Sequence, residues 1–217
     1  MAKVKQQKPF AVKGTRVTSP KGNALWCKVK EPDYAYNAKG IYSTSLICNP
    51  DDDATKVFIE KLEELRDTAY NETVETLGAV KAKGLKQKDV YVDELDEEGE
   101  PTGNIIFKFT MKDVDDKEPG KNRIKVVDAK TKPIIPKDLP LVGNGSTIRC
   151  VAYANPYYMA NTKEVGISLI WESMQLIKLN EYSGGGVTGF DEEDGYEATS
   201  TNDSGYDNED TDEDADY

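Results

Sequence analysis

The sequence predicts a mainly β fold, a small antiparallel barrel with one helix set into it. Segments rich in valine, isoleucine, threonine and aromatic residues, separated by turn formers, flank a single amphipathic stretch. Two of these segments, residues 105–112 and 165–172, run into period-2 alternation, the pattern of strands with one buried face. Strands and helices do not alternate along the chain, which argues against a doubly wound parallel sheet.

In chain order the candidate strands are residues 12–19, 24–30 and 41–48, then 104–113, 123–128, 146–154 and 164–179. The helix falls between the third and the fourth. Asp51, Asp52 and Asp53 suit its positive N-terminus, and any of them can cap it. Phe58, Leu62, Leu65 and Ala69 recur at helical spacing, with Ile59, Tyr70 and Leu77 widening the stripe. Gly78 is the expected stop. Residues 79–103 read as a long loop whose acidic run, residues 93–100, is solvated. Asn155-Pro156 reads as a loop that exposes Tyr157 and Tyr158. One helix after three strands is the order of an OB-fold, a five-stranded Greek-key barrel, here with extra strands. A β-sandwich with an inserted helix satisfies the same pattern.

Charge divides the chain into a domain, residues 1–182, and an acidic tail, residues 183–217. The tail opens on Gly184-Gly185-Gly186 and holds 13 Asp and Glu with no Lys or Arg. Such a segment is too polar and charged to build a core and is expected to be disordered. It carries essentially the whole net charge of −12. Within the domain, residues 1–50 and 119–182 are net basic, while residues 51–118 are net acidic. Flanks that meet in the fold would form one positive face.

Several chemistries are disfavoured or excluded. There are no histidines, so imidazole acid–base catalysis, Ser-His and Cys-His nucleophiles and His metal sites are absent. Cys27, Cys48 and Cys150 are far apart and lack zinc spacing, and they read as reduced, buried thiols. Asp113, Asp115, Asp116 and Glu118 do not match an EF-hand, and Pro119-Gly120 reads as a hairpin turn. The fragment Val142-Gly143-Asn144-Gly145-Ser146 lacks the ending of a phosphate loop and precedes a strand. No apolar run approaches the roughly 18–20 residues of a membrane span, and no apolar stretch follows the basic start as in a secretory signal. No cofactor or metal is expected, nor an enzyme: neither acidic cluster has the apolar setting that tunes a catalytic carboxyl.

What remains is cations interleaved with rings. Trp26, Lys28, Lys30, Tyr34 and Tyr36 crowd one turn, and Arg149, Tyr157 and Tyr158 lie along another segment. Arg123 and Lys125 add charge from the second basic flank, and Lys3 and Lys5 from a basic arm. Single-stranded nucleic acid asks for this mixture, because phosphates attract Lys and Arg while unpaired bases stack on rings. Trp26 and Tyr153 equally suit a core. The rival function is a protein-interaction module, or an acidic chaperone whose tail mimics nucleic acid and whose body binds none.

The chain also resembles the single-stranded DNA-binding proteins of T7-like bacteriophages. The likeness runs through Met1-Ala2-Lys3, Lys30-Glu31-Pro32-Asp33-Tyr34, Gly40-Ile41-Tyr42 and Phe107-Lys108-Phe109. It is strongest at Val126-Val127-Asp128-Ala129-Lys130 and from Leu139 to Ser146. It continues at Pro156-Tyr157, Trp171-Glu172-Ser173-Met174-Gln175-Leu176, the glycine hinge and the acidic tail. The resemblance implies an OB-fold homodimer without enzymatic activity, working in DNA replication, recombination and repair in the cytoplasm of the infected bacterial host. It implies DNA contact by Tyr157. It also implies that a phage DNA polymerase and a helicase-primase dock on the tail, here Asp212, Glu213, Asp214, Asp216 and Tyr217. The family's tail ends in phenylalanine where this chain has Tyr217, a ring that carries an added hydroxyl.

Overall fold

The computed structural model describes residues 8–35, 37–38, 40–115, 118–119 and 123–181. Contacts group Met1–Gly184 as one unit and Gly185–Tyr217 as another. The expected tail lies outside the described residues.

The strands are β1 (Thr15–Thr18), β2 (Gly22–Asp33), β3 (Ile41–Cys48), β4 (Lys86–Gln87), β5 (Val92–Leu95) and β6 (Pro101–Lys112). A small hairpin of β7 (Val114–Asp115) and β8 (Glu118–Pro119) follows, then β9 (Lys125–Val127), β10 (Pro133–Ile134), β11 (Thr147–Met159) and β12 (Glu164–Lys178). The helix α1 (Asp53–Ala82) stands between β3 and β4.

Five strands close a ring. β2 pairs with β3 and β3 with β6, both antiparallel. β6 runs parallel to β12, β12 is antiparallel to β11, and β11 returns to β2 through Thr147–Asn23 and Ile148–Gly22. This is the OB barrel, with β1 added on β11, β4 and β9 on β12, and β5 on β6. The helix follows the third strand of the chain, as expected. Because β1 stands outside the ring, the same helix falls between the second and third strands of the barrel.

Alternation fills the interior. Tyr42, Thr44, Leu46 and Cys48 of β3 point inward, as do Ile105, Phe107 and Phe109 of β6 and Ile148, Cys150, Ala152 and Ala154 of β11. The helix packs on this core through Phe58 and Leu62. The Phe58 ring meets Phe107 edge to face, with centroids 5.0 Å apart, and Tyr91 meets Phe107 at 6.2 Å. The buried face of α1 comprises Thr55, Phe58, Leu62, Arg66, Ala69 and Thr73, so half of it is polar. Arg66 is tolerated because Glu63 and Asp67 flank its guanidinium at 3.4 and 3.0 Å and Lys88 O accepts a bond from Nη1.

Asp52 stands at the N-cap without a side-chain cap bond, so the acidic cluster acts there by charge alone. Gly78 breaks the helical geometry at φ 73°, and one more turn carries on to Ala82. The stretch expected as one loop therefore holds that turn, β4, β5 and the start of β6, and Pro119 stands in β8 where a turn was expected. A second cluster of Phe10, Ala69, Leu85 and Val165 secures the chain start, where Glu72 Oε2 accepts the N–H groups of Ala11 and Val12 at 2.6 and 3.0 Å. No helix among the described residues is long and apolar enough to cross a membrane.

The three cysteines are free; Cys48 and Cys150 are buried and Cys27 partly so. Burial pushes the thiols up, Cys27 to about 11 and Cys48 to about 12. Tyr34 and Tyr42 are also raised, Tyr34 mainly by its bond to Asp113 and Tyr42 mainly by burial.

Two outcomes follow from this core. Phe107→Ala, which empties the centre of an aromatic trio, is expected to cost about 3–5 kcal/mol in urea unfolding. A loss below about 1 kcal/mol would show that Phe107 is not a keystone. Below about pH 9 both folded and unfolded chains keep the thiol protons. Above it the unfolded chain loses them first, so stability falls as pH rises toward the folded values of about 11 and 12. The urea midpoint should therefore drop between about pH 9 and about pH 11, and a level midpoint would contradict the shifts.

Candidate nucleic-acid interface

β2 builds the site because it bends. Leu25 faces Ser45 and Lys28 faces Ser43, so three steps along β2 answer two along β3. The extra residue makes a β-bulge at Trp26 and Cys27. Ala24 and Val29 are both buried although five residues apart, and an unbroken strand would turn one of them outward. The bulge resolves that conflict and sends Trp26 into solvent, 68% exposed. Trp26 takes φ 54°, a left-handed conformation that glycine normally fills in such bulges. For a bulky side chain that backbone costs on the order of 1–3 kcal/mol. Asn144 Oδ1 accepts its N–H at 2.8 Å.

Trp26 opens a cleft of about 710 Å³ lined also by Lys28, Lys30, Tyr34, Leu141 and Asn144. A second hollow of about 580 Å³ shares Lys30, Glu31, Pro32 and Tyr34 with it and adds Arg123, Lys137 and Asp113. Together they make one groove beside β2, with a ring on either side of Lys28 and Lys30.

Tyr34 is fixed at the hydroxyl end of its ring. Its hydroxyl donates to Asp113 Oδ2 at 2.9 Å, and Asp113 N–H donates to Gly40 O at 3.1 Å. A Cβ on Gly40 would stand 2.8 Å from Tyr34 Cε1, so glycine lets the ring lie close against the backbone. Gly40 also has φ 67°, a conformation that favours glycine. Tyr34 is nonetheless 56% exposed. The bond to Asp113 raises the phenol above its ordinary range, so it stays protonated and keeps donating.

The barrel wall next to the groove is small and polar. Lys28 faces Ser43, Ser43 faces Thr110, and Ser45 faces Lys108. Alternation turns all of these outward, opposite to Tyr42, Thr44, Leu46, Phe107 and Phe109.

The structure brings Trp26, Lys28, Lys30, Tyr34 and Arg123 to one groove. It places the other expected residues elsewhere. Lys125 is exposed on β9 across from Ser173 of β12. Arg149 is half-buried on β11 across from Gln175, its Nε without a hydrogen-bond partner among the described residues. Tyr157 and Tyr158 are not in a loop: β11 continues through them, and both are half-buried. Tyr157 lies across from Gly166, which leaves room for its ring, since a Cβ there would come within 2.6 Å of the hydroxyl. Tyr158 packs against the cluster around Phe10. Tyr153, equally suited to a core from sequence, is an exposed residue of β11. Tyr36, Lys3, Lys5 and the tail residues Asp212, Glu213, Asp214, Asp216 and Tyr217 lie outside the described residues. Sequence reading did not single out Lys137, Leu141 and Asn144, which also line the groove. Leu141 carried a signal as an apolar residue in a turn-rich stretch and Asn144 lay in the broken phosphate-loop fragment, whereas Lys137 carried none.

Two rings facing solvent among cations suit a flexible polyanion with stackable faces. Comparison with known proteins points the same way. The family model for the single-stranded DNA-binding protein of bacteriophage T7 matches residues 21–179. The chain is 27% identical over 198 residues to the single-stranded DNA-binding protein of Escherichia phage T7, covering 84% of each. It is 25% identical over 171 residues to that of Enterobacteria phage T3, covering 73% of each. The crystal structure of the bacteriophage T7 protein superposes with a TM-score of 0.64 at 25% identity, over 86% of this chain and all of that one. The single-stranded DNA-binding protein of bacteriophage Enc34, solved with single-stranded DNA, shares the fold at a TM-score of 0.51 and 14% identity, over 82% of this chain and 95% of that one.

Proposed function

The chain belongs to the family of the bacteriophage T7 single-stranded DNA-binding protein, and on that footing we propose that it holds single-stranded DNA in the groove between Trp26 and Tyr34. As a member of that family it is a single-stranded DNA-binding protein of phage replication, acting in the infected cell, and not an enzyme. The observation that carries the groove is the left-handed, solvent-facing Trp26. Backbone strain and an exposed indole are both costs to the folded chain, and a stacked base is a use that offsets them.

In this reading Lys28, Lys30, Arg123 and Lys137 meet phosphates while Trp26 and Tyr34 stack bases. Every base has a π-face, so stacking confers affinity without sequence preference, about 1–3 kcal/mol per base. Phosphate contacts release counterions, so binding weakens as salt rises. Pro32 and Leu141 give the groove apolar wall against which sugars and bases can pack.

The acidic segment after Ser183 competes for the same cations. Tethered to the domain, it acts at an effective concentration on the order of millimolar. DNA offers denser charge and stackable bases, so it displaces the segment. The freed acids, with Tyr217, then recruit the phage DNA polymerase and helicase-primase to a homodimer.

Trp26→Ala is expected to weaken oligo-dT binding roughly 5- to 150-fold at fixed salt, the cost of one lost stack. Unchanged affinity would remove the groove as the binding site. Truncation before Ser183 should raise affinity for the same oligonucleotide and abolish polymerase and helicase-primase recruitment. Equal or weaker binding by the truncated chain would end the competition model.

A further inference from the structure

The loop of residues 142–146 resembled a broken phosphate loop in sequence; in the structure it braces two things at once. Toward β2, Asn144 Oδ1 accepts the Trp26 N–H at 2.8 Å. Gly145 N–H donates to Ala24 O and Ala24 N–H to Ser146 O, each at 2.8 Å. These bonds hold the strand just before the bulge and the bulge itself.

On its other side the loop grips Asn180. The Asn180 amide donates to Asn144 O at 2.7 Å, and its backbone N–H donates to Ser146 Oγ at 2.9 Å. Its carbonyl accepts from Gly143 N–H at 2.9 Å and from Ser146 Oγ at 3.1 Å. Val142 bridges to Glu181, and the acidic segment follows Glu181 in sequence.

We propose that Asn144 is a positioning residue that holds the Trp26 stacking platform open, and that Asn180 ties it to the point where the chain runs on into its acidic segment. The proposal deepens the DNA-binding reading of the groove and rests on it. A tryptophan at φ 54° lies off its preferred backbone basins and returns to them unless something holds it. The bond from its N–H to Asn144 fixes that peptide plane, and with it the direction of the indole. Asn144 is held in turn by Asn180, so a shift of the chain at Asn180 reaches Trp26 through two side-chain hydrogen bonds.

The two tryptophans make this readable. Trp171 is fully buried and its indole N–H donates to Ser173 O at 3.1 Å, whereas Trp26 is 68% exposed. Acrylamide quenching of the full chain therefore reports on Trp26. Asn144→Ala should lower the quenchable fraction, while Asn144→Asp, which keeps the Oδ1 acceptor, should restore it. Unchanged quenching in Asn144→Ala would overturn the proposal.

Oligo-dT affinity at fixed salt supplies the second readout, as a double-mutant cycle. Asn144→Ala is expected to weaken binding by about 5-fold or more, and Trp26→Ala with Asn144→Ala should be no weaker than Trp26→Ala alone. Additive losses would mean that Asn144 touches DNA itself and does not act through Trp26. Asn180→Ala should give a smaller loss that also vanishes in the Trp26→Ala background; no loss would cut the link to the acidic segment. If Trp26→Ala leaves affinity unchanged while quenching still responds to Asn144, the positioning stands and the groove's role in DNA binding falls.

Discussion

The site depends on how β2 serves two neighbours. At its start it closes the barrel against β11 through Gly22 and Asn23, and further on it lies against β3. At Gly22 there is no room for a side chain: a Cβ would press on Ile47 O, and stand 2.9 Å from Cys48 Sγ. That close approach sets the register of the first three β2–β3 pairs. The core then demands Val29 inside as well as Ala24, which an unbroken strand cannot supply. One extra residue on β2 satisfies both demands, and its by-product is a tryptophan turned out of the barrel.

A bulge would be cheaper with glycine at its first position, and the proposed use of Trp26 as a stacking platform accounts for the strain. The surroundings offset part of it. Asn144 accepts the Trp26 N–H, and the neighbouring loop repeats the support through Ala24, Gly145 and Ser146. Tyr34 shows the same logic at lower cost: the ring rests on a glycine and its hydroxyl is held by a buried carboxylate. Trp26 is held through its backbone N–H and Tyr34 through its hydroxyl, and both side chains stay largely exposed, so ligand binding need not order them first.

Much of this fold was legible in sequence. Residues 41–48 form β3 as expected because alternating burial is a local pattern and turns bound it. The helix was found from Phe58, Leu62 and Ala69, but its buried face also includes Thr55, Arg66 and Thr73. These are polar residues whose burial depends on partners distant in space, such as Lys88 O for Arg66. The short strands β4, β5 and β10 have no local signature and exist by pairing with β12, β6 and β9. Pro156 misled: it reads as a loop signal, yet it sits in register with Ile167 inside β11. β1 pairs with β11 only as far as Ala154, so among the described residues the proline's missing N–H breaks no ladder on that edge. In the site, Trp26, Lys28, Lys30 and Tyr34 were found from their crowding in sequence, and Arg123 from the charge of its flank. Asn144 was not, because its role comes from the fold that sets it against Trp26.

The groove is mixed in charge, with Glu31, Asp33 and Asp113 among Lys28, Lys30, Arg123 and Lys137. Asp113 is not simply a repellent group. It is buried and its Oδ2 accepts from Tyr34, so its charge is spent on placing a ring. A groove of such balance attracts phosphates weakly compared with a purely basic surface. In the proposed reading, stacking then supplies the selectivity for bases over any other polyanion, including an acidic peptide. In the proposed competition thirteen carboxylates would rival DNA for the lysines, but a carboxylate cannot stack on Trp26 and Tyr34 as a base does. In the proposed competition the rings, more than the cations, would therefore favour a nucleic acid over the acidic segment.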